Sequence, residues 1–210
     1  MLYNKPWVAL LVIIVLFSLA SGPARAERFA DLYLGLNFAQ DDELEVSSGG
    51  VSQTFDVSFD VSGMVGYRMG YFFERAPFVG LALEGSYTAL EYADNEEISV
   101  IALSPLLMLR LPLMKSAKYE RGEWFPFLAA GPGIYMSNID NPNIDANSTD
   151  VGLDLRAGVK KMVARNWAIL LEYRYVGFSP EYEDSVDGID TTSELDLNMH
   201  SILFGATYNF

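Results

Sequence analysis

His200 is the only histidine in the chain, and Ser201 follows it directly. A serine becomes a nucleophile when a general base lies within hydrogen-bond reach. Both residues sit in an alternating run that ends at Phe210: Ile202, Phe204, Ala206, Tyr208 and Phe210 against Leu203, Gly205, Thr207 and Asn209. Neighbours on a strand point to opposite faces, so His200 and Ser201 cannot pair with each other. No catalytic constellation surrounds either one, and the sequence assigns no catalytic residue, no cofactor and no enzymatic role. Cysteine is absent, which excludes thiolate chemistry and a disulfide framework.

The remaining chemistry belongs to carboxylates and bases. The chain carries 28 Asp and Glu against 14 Lys and Arg, a formal charge of -14. Such an acidic chain lacks the basic surface that nucleic acid requires. Acids fill Asp41–Glu45, Glu91–Glu97, Asp140–Asp154 and Glu181–Asp196. Bases cluster in Arg68–Arg75, Arg110–Arg121 and Arg156–Arg165. Asp41, Asp42 and Glu43, with Glu181, Glu183 and Asp184, offer hard oxygen ligands of the kind calcium takes. Asp187-Gly188-Ile189-Asp190 and its neighbours lack the ordered spacing of a calcium loop. No specific metal site is assigned, and diffuse cation binding is the expectation.

The elements that hold these charges read as strands. The apolar periodicity is close to two almost everywhere, and long helical patterns are missing. The segments are Leu32–Phe38, Phe55–Met69, Val79–Tyr92, Ile98–Leu111, Trp124–Met136, Val151–Lys160, Trp167–Val176 and about Glu194 to Phe210. Most approach the ~9–11 residues that a tilted membrane-spanning strand needs. Acidic and basic blocks alternate in phase with them. An antiparallel meander with four acidic loops at one end and three basic turns at the other produces that order.

A soluble sandwich would alternate too, with its apolar face buried. Here the polar face is rich in small residues (Gly35, Ser62, Gly66, Gly80, Ala82, Ser86, Gly158), which suit a crowded interior. The apolar face carries Tyr67, Trp124, Trp167, Tyr175 and Tyr208 near strand ends, the pattern of an aromatic girdle. In hydrocarbon the sheet must close on itself. The fold expected is all-β: an eight-stranded antiparallel up-and-down transmembrane barrel. Its phase turns Arg68, Glu84, Arg110, Asp154, Arg156, Glu172 and Arg174 inward, four cations against three carboxylates. For Ile98–Leu111 the inward phase rests on Arg110, which favours the even positions. Glu84, Arg156, Glu172 and Arg174 are expected near mid-barrel, where salt bridging would plug a lumen just wide enough for side chains.

The first residues read as an export signal. Lys5 gives a positive flank, Trp7–Phe17 an apolar run, and Ala24-Arg25-Ala26 a small-x-small cleavage pattern. The run is shorter than the roughly 20 residues of a transmembrane helix. The domains expected are a signal peptide at 1–26 and a barrel at 27–210. Removing Lys5 and Arg25 takes the formal charge from -14 to -16.

On these residues the chain resembles the small eight-stranded outer-membrane barrels of the OmpA, OmpX and opacity-protein kind. The resemblance covers Glu27–Phe210. Its most specific part is a carboxyl-terminal assembly signal, with Gly205, Tyr208 and Phe210 in the family's places. Leu203 departs from the polar residue usual two before the glycine. Leu83-Glu84-Gly85-Ser86-Tyr87 and Leu171-Glu172-Tyr173-Arg174-Tyr175 also look like family strand patterns.

The resemblance implies a monomer in the bacterial outer membrane with both termini periplasmic. It implies periplasmic chaperones and the barrel-assembly machinery as partners in biogenesis. The partners expected afterwards are outer-membrane lipids, lipopolysaccharide bridged to the acidic loops by divalent cations, and an extracellular ligand held by those loops. The role expected is structural or surface-interactive, with a plugged lumen. A small pore is the alternative, and a lipid-A-modifying enzyme the second alternative.

Overall fold

The computed structural model describes residues 27–210 except 41, 49–50, 58–59, 93–95, 142–143, 180, 187–188 and 195. Side chains are described outside 39, 41–59, 91–97, 139–147 and 180–195. The segment read as a signal peptide, 1–26, lies outside the described residues. Twelve strands follow in order: β1 (Glu27–Ala39), β2 (Asp42–Ser48), β3 (Val51–Val57), β4 (Ser62–Phe73), β5 (Ala76–Tyr92), β6 (Glu96–Arg110), β7 (Trp124–Asn141), β8 (Ile144–Met162), β9 (Trp167–Phe178), β10 (Glu181–Val186), β11 (Ile189–Glu194) and β12 (Leu197–Asn209).

Eight of them close an antiparallel barrel in the order β1-β12-β9-β8-β7-β6-β5-β4, with β4 returning to β1. Closure leaves no edge, as hydrocarbon demands of a sheet. The other four form a separate sheet, β10-β11-β2-β3, built from the long connections β1–β4 and β9–β12. Thus the segment expected as one strand over Phe55–Met69 is two. Phe55 and Val57 belong to β3, which pairs with β2, whereas β4 pairs with β1 and β5. The alternation runs unbroken through a change of hydrogen-bonding partner. The last strand starts at Leu197, a little later than expected.

One end of the barrel carries both described termini and the turns at 74–75, 111–123 and 163–166. The other carries the acidic connections and the second sheet. The walls obey the period of two. Along β4 and β9, buried and exposed residues alternate for most of the strand. Leu32, Leu34 and Phe204 stand outward at 65%, 66% and 64% exposure. On β6 the even residues Ala102, Ser104, Leu106, Met108 and Arg110 are buried, so the phase set by Arg110 is the phase of the fold. An apolar girdle of this extent exceeds what a water-soluble monomer exposes and fits a hydrocarbon solvent.

The β6–β7 wall has a gap. The β6–β7 ladder runs from Glu97↔Asp140 to Leu103↔Ile134 and resumes at Leu107↔Ala130. The same register sets Pro105 opposite Pro132. Beyond the strand, Leu111 N–H donates to Pro126 O (2.9 Å) and Leu113 N–H to Trp124 O (2.8 Å), so odd residues of β6 form the hydrogen-bonded pairs. Pro105 and Pro132 therefore meet at a bonding position where neither has an N–H to give. Gly131 lets the strands stay close there, because a Cβ on it would collide with Pro105 O.

Candidate functional site

The charges that the period of two turns inward meet in one layer across the lumen. Arg68 on β4 donates through Nε to Asp31 Oδ2 (2.8 Å) and through Nη2 to Glu172 Oε2 (2.6 Å). Arg156 on β8 donates to Asp154 Oδ1 (2.8 Å), to Glu172 Oε1 (2.8 Å) and to Glu84 on β5. Arg174 on β9 bonds Asp154 Oδ2 (2.8 Å) and Ser86 Oγ (2.9 Å), with Glu84 at 3.7 Å. Lys160 Nζ bonds Asp31 Oδ1 (2.7 Å) and lies 4.1 Å from the centre of the Phe29 ring. Ser104 on β6 donates to Asp154 (2.9 Å) and Thr207 on β12 to Asp31 (2.7 Å).

The layer is balanced: Arg68, Arg156, Arg174 and Lys160 against Asp31, Glu84, Asp154 and Glu172. Isolated charges buried at this depth would cost several kcal/mol each, so mutual pairing is the condition for placing them there. One joint is loose. Arg68 Nη1 and Glu84 Oε2 stand 3.9 Å apart, and neither has a hydrogen-bond partner.

Apolar side chains close the lumen on both sides of this layer. Toward the turns, Phe29, Phe72, Met108, Phe127 and Leu170 belong to one buried cluster. Toward the loops, Leu90, Ile98, Val100, Val176, Phe178 and Leu197 belong to another. A cavity of about 20 Å³ remains on the turn side, lined by Phe29, Phe72, Met108, Arg110 and Lys160 among others, room for about one water.

Of the seven charges read from sequence, six lie in the layer. Arg110 sits apart, at the turn end, where its fork holds both carboxylate oxygens of Glu27 (2.9 and 2.6 Å) and lies 3.7 Å over the Phe72 ring. Asp31 and Lys160 take part and were not foreseen. Each continues an inward phase by one step: Asp31 lies two before Tyr33, and Lys160 two after Gly158. Asp31 precedes the segment that reads cleanly as a strand, and Lys160 is the last residue of the segment Val151–Lys160, where the basic block 156–165 overlaps it.

His200 lies on the outer wall near the loop end, with Tyr175 as a ring neighbour at 5.3 Å and the Tyr173 hydroxyl on its Nδ1. Ser201 points inward and bonds Asn37, so the two are on opposite faces, as alternation requires. Gly205 packs beneath Tyr33. Tyr208 meets Trp167 (5.1 Å) and Phe210 (5.0 Å) edge to face on the outside. Asp41 lies outside the described residues. Asp42 and Glu43 fall on β2, and Glu181, Glu183 and Asp184 on β10, with side chains outside those described.

A closed antiparallel ladder, an apolar outer wall and a packed, charge-balanced interior define a transmembrane β-barrel. Residues 9–210 match the Outer membrane protein beta-barrel domain, and the chain belongs to that family, whose place is the bacterial outer membrane. Three solved barrels share the fold. OprG of Pseudomonas aeruginosa is 14% identical with a TM-score of 0.69, covering 89% of this chain and 97% of that one. AlkL is 13% identical at 0.61, covering 90% and 92%. Neisserial surface protein A is 14% identical at 0.57, covering 87% and 97%. No curated protein sequence matches the chain.

Proposed function

We propose that this protein is a non-conducting outer-membrane barrel that anchors an acidic β-sheet at the cell surface for a structural or surface-interaction role. The observation that carries this reading is the neutral ionic layer between two apolar layers. Any ion crossing the lumen would have to part charge-assisted hydrogen bonds shared among seven strands, then shed its water against packed hydrocarbon. The termini and the basic turns face the periplasm. The acidic connections face outward, where divalent cations bridge them to lipopolysaccharide.

Single-channel recording in a planar lipid bilayer tests the closed lumen. The expected trace is flat for barrels shown to be folded by their heat-modifiable mobility. Discrete, reproducible conductance steps would overturn it and favour the small pore. The loose joint between Arg68 Nη1 and Glu84 Oε2 is the observation on the side of that second reading. It makes Glu84 the residue to mutate if current appears.

A further inference from the structure

The cations outside the lumen gather at the turn end, Arg75, Lys115, Lys118, Lys161 and Arg165 among them. No Lys or Arg occurs in 29–67, 76–109 or 122–155, or after Arg174. At that end the wall has a specific relief. The β6–β7 hairpin continues past Arg110 with Leu111 bonded to Pro126, then a bridge between Leu113 and Trp124. Trp124 pairs in turn with Lys161 on β8. Leu113, Trp124 and Lys161 thus form one row around the outer face. Leu111, Leu113 and Met114 are 62%, 48% and 70% exposed, and Lys115 follows them, also exposed.

Met114 adopts φ 53°, a left-handed conformation uncommon for a side chain of this size. Its neighbour Leu113 is held by three backbone bonds to Glu123 and Trp124 (2.8–3.3 Å). A fixed backbone that presents bare Leu, Leu and Met is a poor surface for water and a good wedge for a bilayer interface. The Lys161 ammonium rests 4.8 Å from the centre of the Trp124 ring, and no carboxylate pairs with Lys161 or Lys115 among the described residues. An indole at the interface with an ammonium over it leaves the outer hemisphere of that charge for an anion.

We propose that the β6–β7 turn and Lys161 form a docking surface for the phosphate of an anionic diacyl phospholipid in the leaflet at the turn end. Leu111, Leu113 and Met114 enter the acyl boundary, Trp124 lies at headgroup depth, and Lys161 meets the phosphate, with Lys115 adding to the positive charge of the same turn end. Charge complementarity selects the occupant, since at this rim Lys161 and Lys115, which pair with no carboxylate among the described residues, lie in the same turn region as exposed apolar residues.

The test uses the protein reconstituted in phosphatidylcholine vesicles with a trace of spin-labelled phosphatidylglycerol or phosphatidylcholine. Electron paramagnetic resonance reads the lipid immobilised at the wall. Phosphatidylglycerol is expected to be held about fivefold more strongly per lysine engaged, the scale of a cation at an anionic surface. Salt at about 1 M should erase the preference, because it screens beyond ~3 Å. Lys115→Gln with Lys161→Gln should bring the ratio toward unity, and Lys115→Arg with Lys161→Arg should keep it. Equal immobilisation of the two lipids by the unaltered protein overturns the proposal. So does a preference unchanged by the glutamine pair, which would put the anionic lipid elsewhere on the wall.

Discussion

Arg156 is the keystone of the lumen, since it alone bonds three carboxylates, Glu84, Asp154 and Glu172. Removing one partner of a buried ionic network leaves the others charged and unpaired, a loss of about 3–5 kcal/mol. Arg156→Met keeps most of the volume and removes the charge, so its effect reports pairing rather than a cavity. Urea unfolding in lipid vesicles should show a loss in that range. Arg110→Met should cost distinctly less, because its one carboxylate, Glu27, lies at the mouth of the barrel where water can replace the guanidinium. Equal losses for the two would mean that the central layer is no more cooperative than an end pair. The inward charges were legible because alternation fixes their face. Their partners were less so: nothing in a one-dimensional pattern tells whether Arg110 reaches the centre or turns to Glu27, which depends on strand tilt and stagger.

The elements were legible wherever one strand kept one pair of neighbours. Val79–Tyr92 and Trp167–Val176 fall within β5 and β9, and their described side chains keep the facing expected of them except at Leu83, which is buried. Phe55–Met69 did not hold together, and its 15 residues were already longer than a ~9–11-residue span requires. Periodicity reports which way side chains point, and it is blind to which strand lies alongside. The proline gap has the same character. Pro105 and Pro132 are visible in the sequence, but their meeting depends on register. Losing both hydrogen bonds of that pair, ~1 kcal/mol net each, makes local opening about thirtyfold more frequent. Amide hydrogen exchange should therefore run about that much faster at Leu103, Leu107, Ala130 and Ile134, whose amides flank the gap, than at Ala129 and Gly133, whose amides point into the unbroken β7–β8 ladder opposite Arg156 and Gly152. Uniform protection across the two ladders would show that packing around Gly131 compensates for the missing donors.

At the scale of the whole molecule, a closed barrel and a separate four-stranded sheet share one chain. The barrel ladder closes through β1, β12, β9, β8, β7, β6, β5 and β4, and none of these strands gives a ladder partner to β2, β3, β10 or β11. Among the described side chains, the lumen layers are likewise built from barrel strands. Stability and surface display are therefore separable. Replacing 42–57 and 181–194 by short Gly-Ser links should leave the barrel's heat-modifiable mobility and its urea midpoint nearly unchanged, since loop closure changes slowly with length. The acidic sheet would be gone, and with it the divalent-cation-dependent retention of lipopolysaccharide, measured as co-purifying lipid with and without chelator. A shortened barrel that stays folded and silent but still retains lipopolysaccharide in that dependent manner would take the surface role away from the sheet. A shortened barrel that conducts would show that the outer connections, and not the ionic layer, close the lumen.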